Sequence, residues 1–151
     1  PTEGGYFVET HRLAETVPAE ALPDRYGDAR AHGTAIYYLL TPDTFSALHR
    51  LTSDEVFHFY MGDPVEQLHL LPDGTGRVVT LGTDLDAGHR PQMIVPRGVW
   101  QGARLAAGGL ALLGCTVAPG FDFRDYEHGG RATLTGAYPD FAAEIAVLAT
   151  E

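Results

Sequence analysis

His49 and Glu55 are the two residues on which chemistry can be built. Leu51 stands between them, three residues separate Leu51 from Glu55, and six more separate Glu55 from Gly62. A carboxyl group facing an apolar interior loses hydration, which raises its pKa toward neutrality and suits it to proton transfer. An imidazole, with an unperturbed pKa of about 6.5, exchanges protons at physiological pH, and a carboxylate within reach fixes which ring nitrogen carries the hydrogen. Such a pair can move a proton next to a carbonyl. The same two residues also read as a satisfied polar pair with no reaction to run. Against that, a buried charged pair seldom improves stability over an apolar one.

Further candidates surround this pair. His58 lies three residues from Glu55, so strict strand alternation puts the two on opposite faces, and only a bulge brings both inward. His69, in Gln67-Leu68-His69-Leu70, can point either way and is read as structural. His11, His32, His89 and His128 fall in loops or near strand ends and are expected to be solvated. Tyr37, Tyr38, Phe57, Phe59, Tyr60 and Trp100 alternate through strands, so that in each adjacent pair one ring faces in and the other packs outside. Phe121-Asp122-Phe123-Arg124-Asp125-Tyr126 leaves a strand into an irregular segment able to close a barrel mouth; its other reading is a hydrophobic plug with solvated acids. Asp84, Asp86 and Gly88 lack the spacing and closing Glu of a calcium loop. Cys115, the one cysteine, sits in an apolar run and reads as a small buried hydrophobe.

These residues need a scaffold of short strands. Eighteen Gly and ten Pro are spread through 151 residues and punctuate many short apolar segments, the spacing of a sandwich or barrel. Strands are predicted at 6–11, 34–40, 46–51, 55–61, 65–71, 77–81, 92–95, 101–105 and 110–117, each rich in β-branched, aromatic or aliphatic residues. Thr41-Pro42-Asp43, Gly62-Asp63-Pro64 and Pro72-Asp73-Gly74 are turn formers, the last a hairpin tip. Behind Pro139, Phe141, Ile145 and Leu148 recur at helical spacing and predict a terminal helix over 139–148 that covers part of the barrel. Weaker helical signals lie at 131–137 and 18–22. One domain, 1–151, accounts for the length.

The His49 to Gly62 spacing resembles the first motif of the cupin superfamily, in which two His and a Glu project inward to hold a metal. Leu51 occupies the second His position. Pro96 to Gln101 resembles the second motif, with Gln101 at its closing His. Glu3-Gly4-Gly5-Tyr6-Phe7, the run from His49 to Pro64, Pro91-Gln92, Pro96 to Arg104, and Gly114 to Phe123 together resemble the Cupin 5 family of unknown function. Val8 stands where that family usually has Arg. The resemblance implies an all-β double-stranded β-helix, the cupin jelly-roll barrel, with short N- and C-terminal helices, commonly a homodimer, with an aromatic-lined pocket and no agreed reaction.

Ten basic against twenty acidic residues give a formal charge of −10, which repels nucleic-acid phosphates and anionic lipid, so neither is an expected partner. No stretch approaches the roughly 20 apolar residues of a membrane span, and residues 1–5 lack the basic and apolar regions of a signal peptide; cytoplasmic residence is expected.

The leading expectation is an enzyme of isomerase, epimerase or lyase type acting on a small polar molecule, sugar-like or a keto or hydroxy acid. His49 and Glu55 would be catalytic, with Gln101, His58, Tyr38, Phe57, Phe59 and Phe121 around the substrate. A second reading is a non-enzymatic cupin that holds a small ligand. A third, a metal-dependent oxygenase or decarboxylase, needs His49, Glu55 and Gln101 to gather a divalent cation with an incomplete ligand set.

Overall fold

The structure is a computed structural model and describes residues 4–150. Twelve strands are numbered in chain order: β1 Tyr6–Arg12, β2 Thr16–Val17, β3 Arg30–Ala31, β4 Thr34–Leu40, β5 Phe45–Leu51, β6 Glu55–Gly62, β7 Val65–Leu70, β8 Gly76–Leu81, β9 Gln92–Val95, β10 Trp100–Leu105, β11 Ala111–Val117 and β12 Tyr126–His128. Two antiparallel five-stranded sheets, in the orders β1-β4-β11-β6-β9 and β12-β5-β10-β7-β8, face each other, and β2 pairs with β3 outside them. This is the all-β jelly-roll barrel expected from the spacing of turns and apolar segments.

All nine expected strands form, with ends displaced by a residue at most. Val65–Leu70 and Gly76–Leu81 make the hairpin whose tip is Pro72-Asp73-Gly74; there Asp73 Oδ1 accepts from Thr75 N at 2.9 Å, an Asx-type turn. Gly62 shows why its position is a motif glycine. It has φ 100°, and a Cβ there would fall on the carbonyl oxygen of Leu110. Only glycine takes that backbone without strain.

Two apolar cores result. Between the sheets lie Tyr38, Leu40, Phe57, Phe59, Val65, Leu81, Val95, Leu113 and Cys115. Burying each large side chain contributes roughly 1.5–3 kcal/mol. The outer face of the second sheet is covered by helices α1, Arg131–Ala137, and α2, Ala142–Leu148, which bring Leu134, Tyr138, Ile145 and Leu148 against Leu48, Leu68 and Leu70. The expected terminal helix thus begins as a 3₁₀ turn at Pro139–Phe141 and continues as α2, and the segment 18–22 holds only the 3₁₀ turn Ala19–Ala21.

The covering helices have a consequence for the site. Both faces of β5, β10 and β7 are buried, so polar residues on their inner face are cut off from water and must satisfy one another.

Candidate functional site

Three polar side chains share one row across the inner face of the second sheet. Gln101 on β10 is directly opposite His49 on β5 and His69 on β7. Residues directly opposite on antiparallel strands point to the same face. Each of the three is 1% exposed. Glu55 opens β6 in the facing sheet, is 6% exposed, and accepts from Gln101 Nε2 at 2.7 Å.

The amide directions follow from that contact. An ionised carboxylate only accepts, so Gln101 turns its NH₂ to Glu55 and its oxygen away. That oxygen accepts from Gln67 Nε2 at 3.3 Å, and the Gln67 oxygen faces His69 Nε2 at 2.9 Å. The donors therefore run one way, from His69 through Gln67 and Gln101 to Glu55. In the neutral ring this assigns the hydrogen of His69 to Nε2. Its Nδ1 has no hydrogen-bond partner, and burial first, then the charge of Arg77, pushes its pKa down to about 4. His69 is thus uncharged at neutral pH.

His49 is held differently. Its Nδ1 lies 2.8 Å from the Ala47 carbonyl oxygen, which can only accept, so Nδ1 carries hydrogen and Nε2 is the basic nitrogen of the neutral ring. The ring stacks on Tyr126 at 5.0 Å between centroids and 19° between planes. Backbone bond and stacking together fix the imidazole before any ligand arrives.

Glu55 lines a narrow cleft of about 30 Å³ with Thr34, Ile36, Cys115 and Val117, all of them buried or half-buried, and with Phe7, Phe121 and Phe123 toward solvent. Phe121 and Phe123 meet edge to face at 5.0 Å. Their segment is pinned along its length. Phe121 N donates to Thr34 Oγ1 at 2.9 Å, and Arg12 Nη2 donates to the Phe121 carbonyl at 3.0 Å. Asp122 caps the 3₁₀ turn Phe123–Asp125 through Arg124 N, and Arg124 bonds both Asp122 and Asp28; these contacts hold the Asp122 carboxyl well below the usual carboxylate range. Asp125 is not the solvated acid expected. It is buried and takes a two-pronged bond from Arg30, 2.8 Å on each oxygen. Wider grooves of about 380 Å³ lie elsewhere, one between Thr41 and Arg104 and one beside His11, His32 and Asp54, and neither includes Glu55, His49 or Gln101.

The expected site residues therefore separate. Glu55, Gln101 and His49 face the interior together, and Phe121 stands over Glu55. His58 does not face the interior: alternation through β6 is unbroken from Glu55 to Phe59, so His58 lies on the outer face, 3.0 Å from Thr116 Oγ1 and stacked near Tyr60. The register shift that might have turned it inward comes later, at Tyr60. Tyr38, Phe57 and Phe59 belong to the core rather than to the cleft lining, and the Tyr38 hydroxyl is spent on the Gly4 carbonyl at 2.9 Å. Phe123 stands at the mouth as its segment was expected to, His69, read as structural, faces inward beside Gln101, and Gln67 and Phe7 had no reading as site residues. Gln67 and His69 stand two apart on one strand, so they share a face, which was the available signal.

The donor chemistry does not fit a cupin metal. Leu51 fills the second His position, and Gln101 presents an NH₂ group to the carboxylate, with its oxygen already taken by Gln67. Among the described residues no group of three or more His, Cys, Asp or Glu side chains is placed to hold an ion.

The fold and this pairing of motif positions define a cupin, and comparison with known proteins narrows it. The chain belongs to the Cupin 5 family, described as cupin superfamily (DUF985), whose model matches residues 1–129. It is 33% identical over 159 residues to an uncharacterized protein of Saccharomyces cerevisiae, covering 97% of this chain and 79% of that one. A hypothetical protein from Leishmania major superposes with TM-score 0.89 at 35% identity, covering 100% of this chain and 92% of that one. A protein from Shewanella oneidensis does so at 0.87 and 33%, covering 99% and 89%. A variant of oxalate decarboxylase from Bacillus subtilis shares the fold alone, with TM-score 0.56 and 14% identity, covering 97% of this chain and 36% of that one.

Proposed function

We propose that this cupin is an enzyme that moves a proton on a small polar molecule, as an isomerase, epimerase or lyase, with Glu55 and His49 as its acid–base pair. The observation that carries the reading is the place of Glu55, a carboxylate buried at the foot of an aromatic-mouthed cleft with Gln101 donating to one oxygen. Gln101 and the chain behind it aim the carboxylate and keep it an acceptor. In the proposed step Glu55 takes a proton from the carbon beside a carbonyl and the bonding pair moves toward the carbonyl oxygen; the proton then returns to the same carbon on its other face in an epimerase, or to the former carbonyl carbon while the hydroxyl proton passes between the two oxygens in an isomerase, or goes to a leaving group that the returning electron pair expels from the next carbon in a lyase. His49 is not part of the cleft lining, so its part in the pair is to exchange a proton with Glu55 from the interior side, through Nε2, the basic nitrogen of its neutral ring.

The cleft as it stands holds a few waters or one small head group, well below the roughly 300 Å³ of a typical ligand pocket. A larger substrate seats only its head group there, and its body lies outward against Phe123, which is 63% exposed. The same narrowness favours a second reading, a cupin that binds a small ligand without turning it over. Turnover assays on keto-sugars and hydroxy acids separate the two. Loss of turnover by 10²–10⁴-fold in Glu55→Gln supports the enzyme. Ligand binding without turnover in the unaltered protein supports the binding module.

A homodimer is proposed on separate grounds. The outer face of the sheet β1-β4-β11-β6-β9 exposes Tyr6, Val8, Tyr37, Tyr60 and Ile94, each at least half accessible. A contiguous apolar face of this kind suits a two-fold contact with a second copy, in which the same patch meets itself.

A further inference from the structure

Charge around the cleft narrows the class of ligand. Glu55 is the one ionisable carboxyl that lines it, and no Arg, Lys or His side chain lines it among the described residues. Two guanidinium groups hold the mouth segment, and each already faces a carboxylate: Arg12 donates to the Phe121 carbonyl and is 2.8 Å from Glu9, and Arg124 is bonded to Asp122 and Asp28. Arg30 is buried on Asp125. A ligand carboxylate or phosphate entering here would approach Glu55 in a poorly solvated space with no cation to receive it, a like-charge contact that is costly at low dielectric.

The same features favour the opposite ligand. The electron-rich faces of aromatic rings attract cations, and Phe7, Phe121 and Phe123 ring the entrance above the carboxylate. A carboxylate only accepts hydrogen bonds, so the group that docks on it must donate. The formal charge of −10 on the whole chain adds a field that draws cations and disfavours anions.

We infer that the cleft selects its ligand by charge: it takes a neutral or cationic head group that donates hydrogen bonds, a hydroxyl or an amine on a small apolar body, and turns away carboxylates and phosphates. This rests on the cleft being the binding site. It removes hydroxy acids and phosphorylated sugars from the substrate class and leaves neutral hydroxy-carbonyl compounds and amines.

The test uses three probes of matched shape, benzylamine, benzyl alcohol and benzoate, titrated into the full chain at pH 7.5 and followed by ligand-observed NMR. The amine and the alcohol are expected to bind at least tenfold more tightly than benzoate. Glu55→Gln is expected to weaken the amine about tenfold and to close most of the gap to benzoate. Phe123→Ala, at an exposed position that leaves the fold intact, is expected to weaken the amine and the alcohol alike and so to place them in this cleft. Benzoate binding as tightly as the amine, and weakened by Phe123→Ala, overturns the charge selection while leaving the cleft a binding site. Binding by none of the probes, or binding indifferent to Phe123→Ala, overturns the cleft as the site and the inference with it.

Discussion

Gln101 Nε2 reaches Glu55 Oε2 across the barrel at 2.7 Å, joining the two sheets by a bond between buried side chains. The contact holds the carboxylate in one orientation. Gln101→Leu removes the donor and leaves Glu55 and the Gln67 amide short of a partner. A cost of about 1–3 kcal/mol is expected, read as a lower urea midpoint at pH 7. An unchanged midpoint would show that the bond does not matter in solution.

His69 makes stability depend on pH in a defined window. Its folded pKa of about 4 lies below the value of about 6.5 in an unfolded chain. Between these values the unfolded state binds the extra proton, so the contribution of His69 is complete above pH 6.5 and is lost as pH falls toward 4. The loss is about 3 kcal/mol. Urea unfolding of the wild type and of His69→Phe at pH 7, 5.5 and 4.5 should show the stability gap between them shrinking on acidification. A gap that stays constant would mean that His69 is not buried as a neutral ring.

Arg30 and Asp125 test the anchoring of the mouth. Their side chains are almost fully buried, and Asp125 closes the 3₁₀ turn that carries Phe123. Arg30→Met or Asp125→Asn should each cost about 3–5 kcal/mol by leaving one charged or polar group unpaired. Arg30→Met combined with Asp125→Asn should cost less than the sum of the two single changes, measured by urea denaturation. Simple additivity would sever the proposed coupling.

How much of this was legible in the sequence follows from which signals are local. Alternation through β6 places Glu55, Phe57 and Phe59 inward and His58 outward, and the structure shows that no bulge intervenes before Phe59. Turn chemistry located nine of the ten strands of the two barrel sheets and missed β12, three residues long, at the edge beside β5. The chain from His69 to Gln67 was hidden because periodicity shows that two residues share a face, not that the other face is also covered. Here Leu68 and Leu70 pack under α1 and α2, so β7 has no solvent side. Arg30 and Asp125 are 95 residues apart, and nothing near either residue announces the other. Phe7 stood in a recognised run, yet its place over Glu55 depends on how β1 lies along β4, with Phe7 opposite Tyr38.

The outer face predicts an assembly. Light scattering at micromolar concentration should give twice the chain mass, and Tyr37→Arg should give a folded monomer, since a charge placed on both copies of a two-fold contact repels itself. A monomer in the unaltered protein would contradict the homodimer without touching the cleft.

The acid–base role of Glu55 is tested most directly by hydrogen exchange at carbon. In deuterated buffer, neutral hydroxy-ketones incubated with the wild type should lose the NMR signal of the C–H beside the carbonyl, and Glu55→Gln should slow this at least 100-fold while still binding the compound. Exchange at the same rate in Glu55→Gln, or no exchange in the wild type of any compound that binds the cleft, would contradict the account.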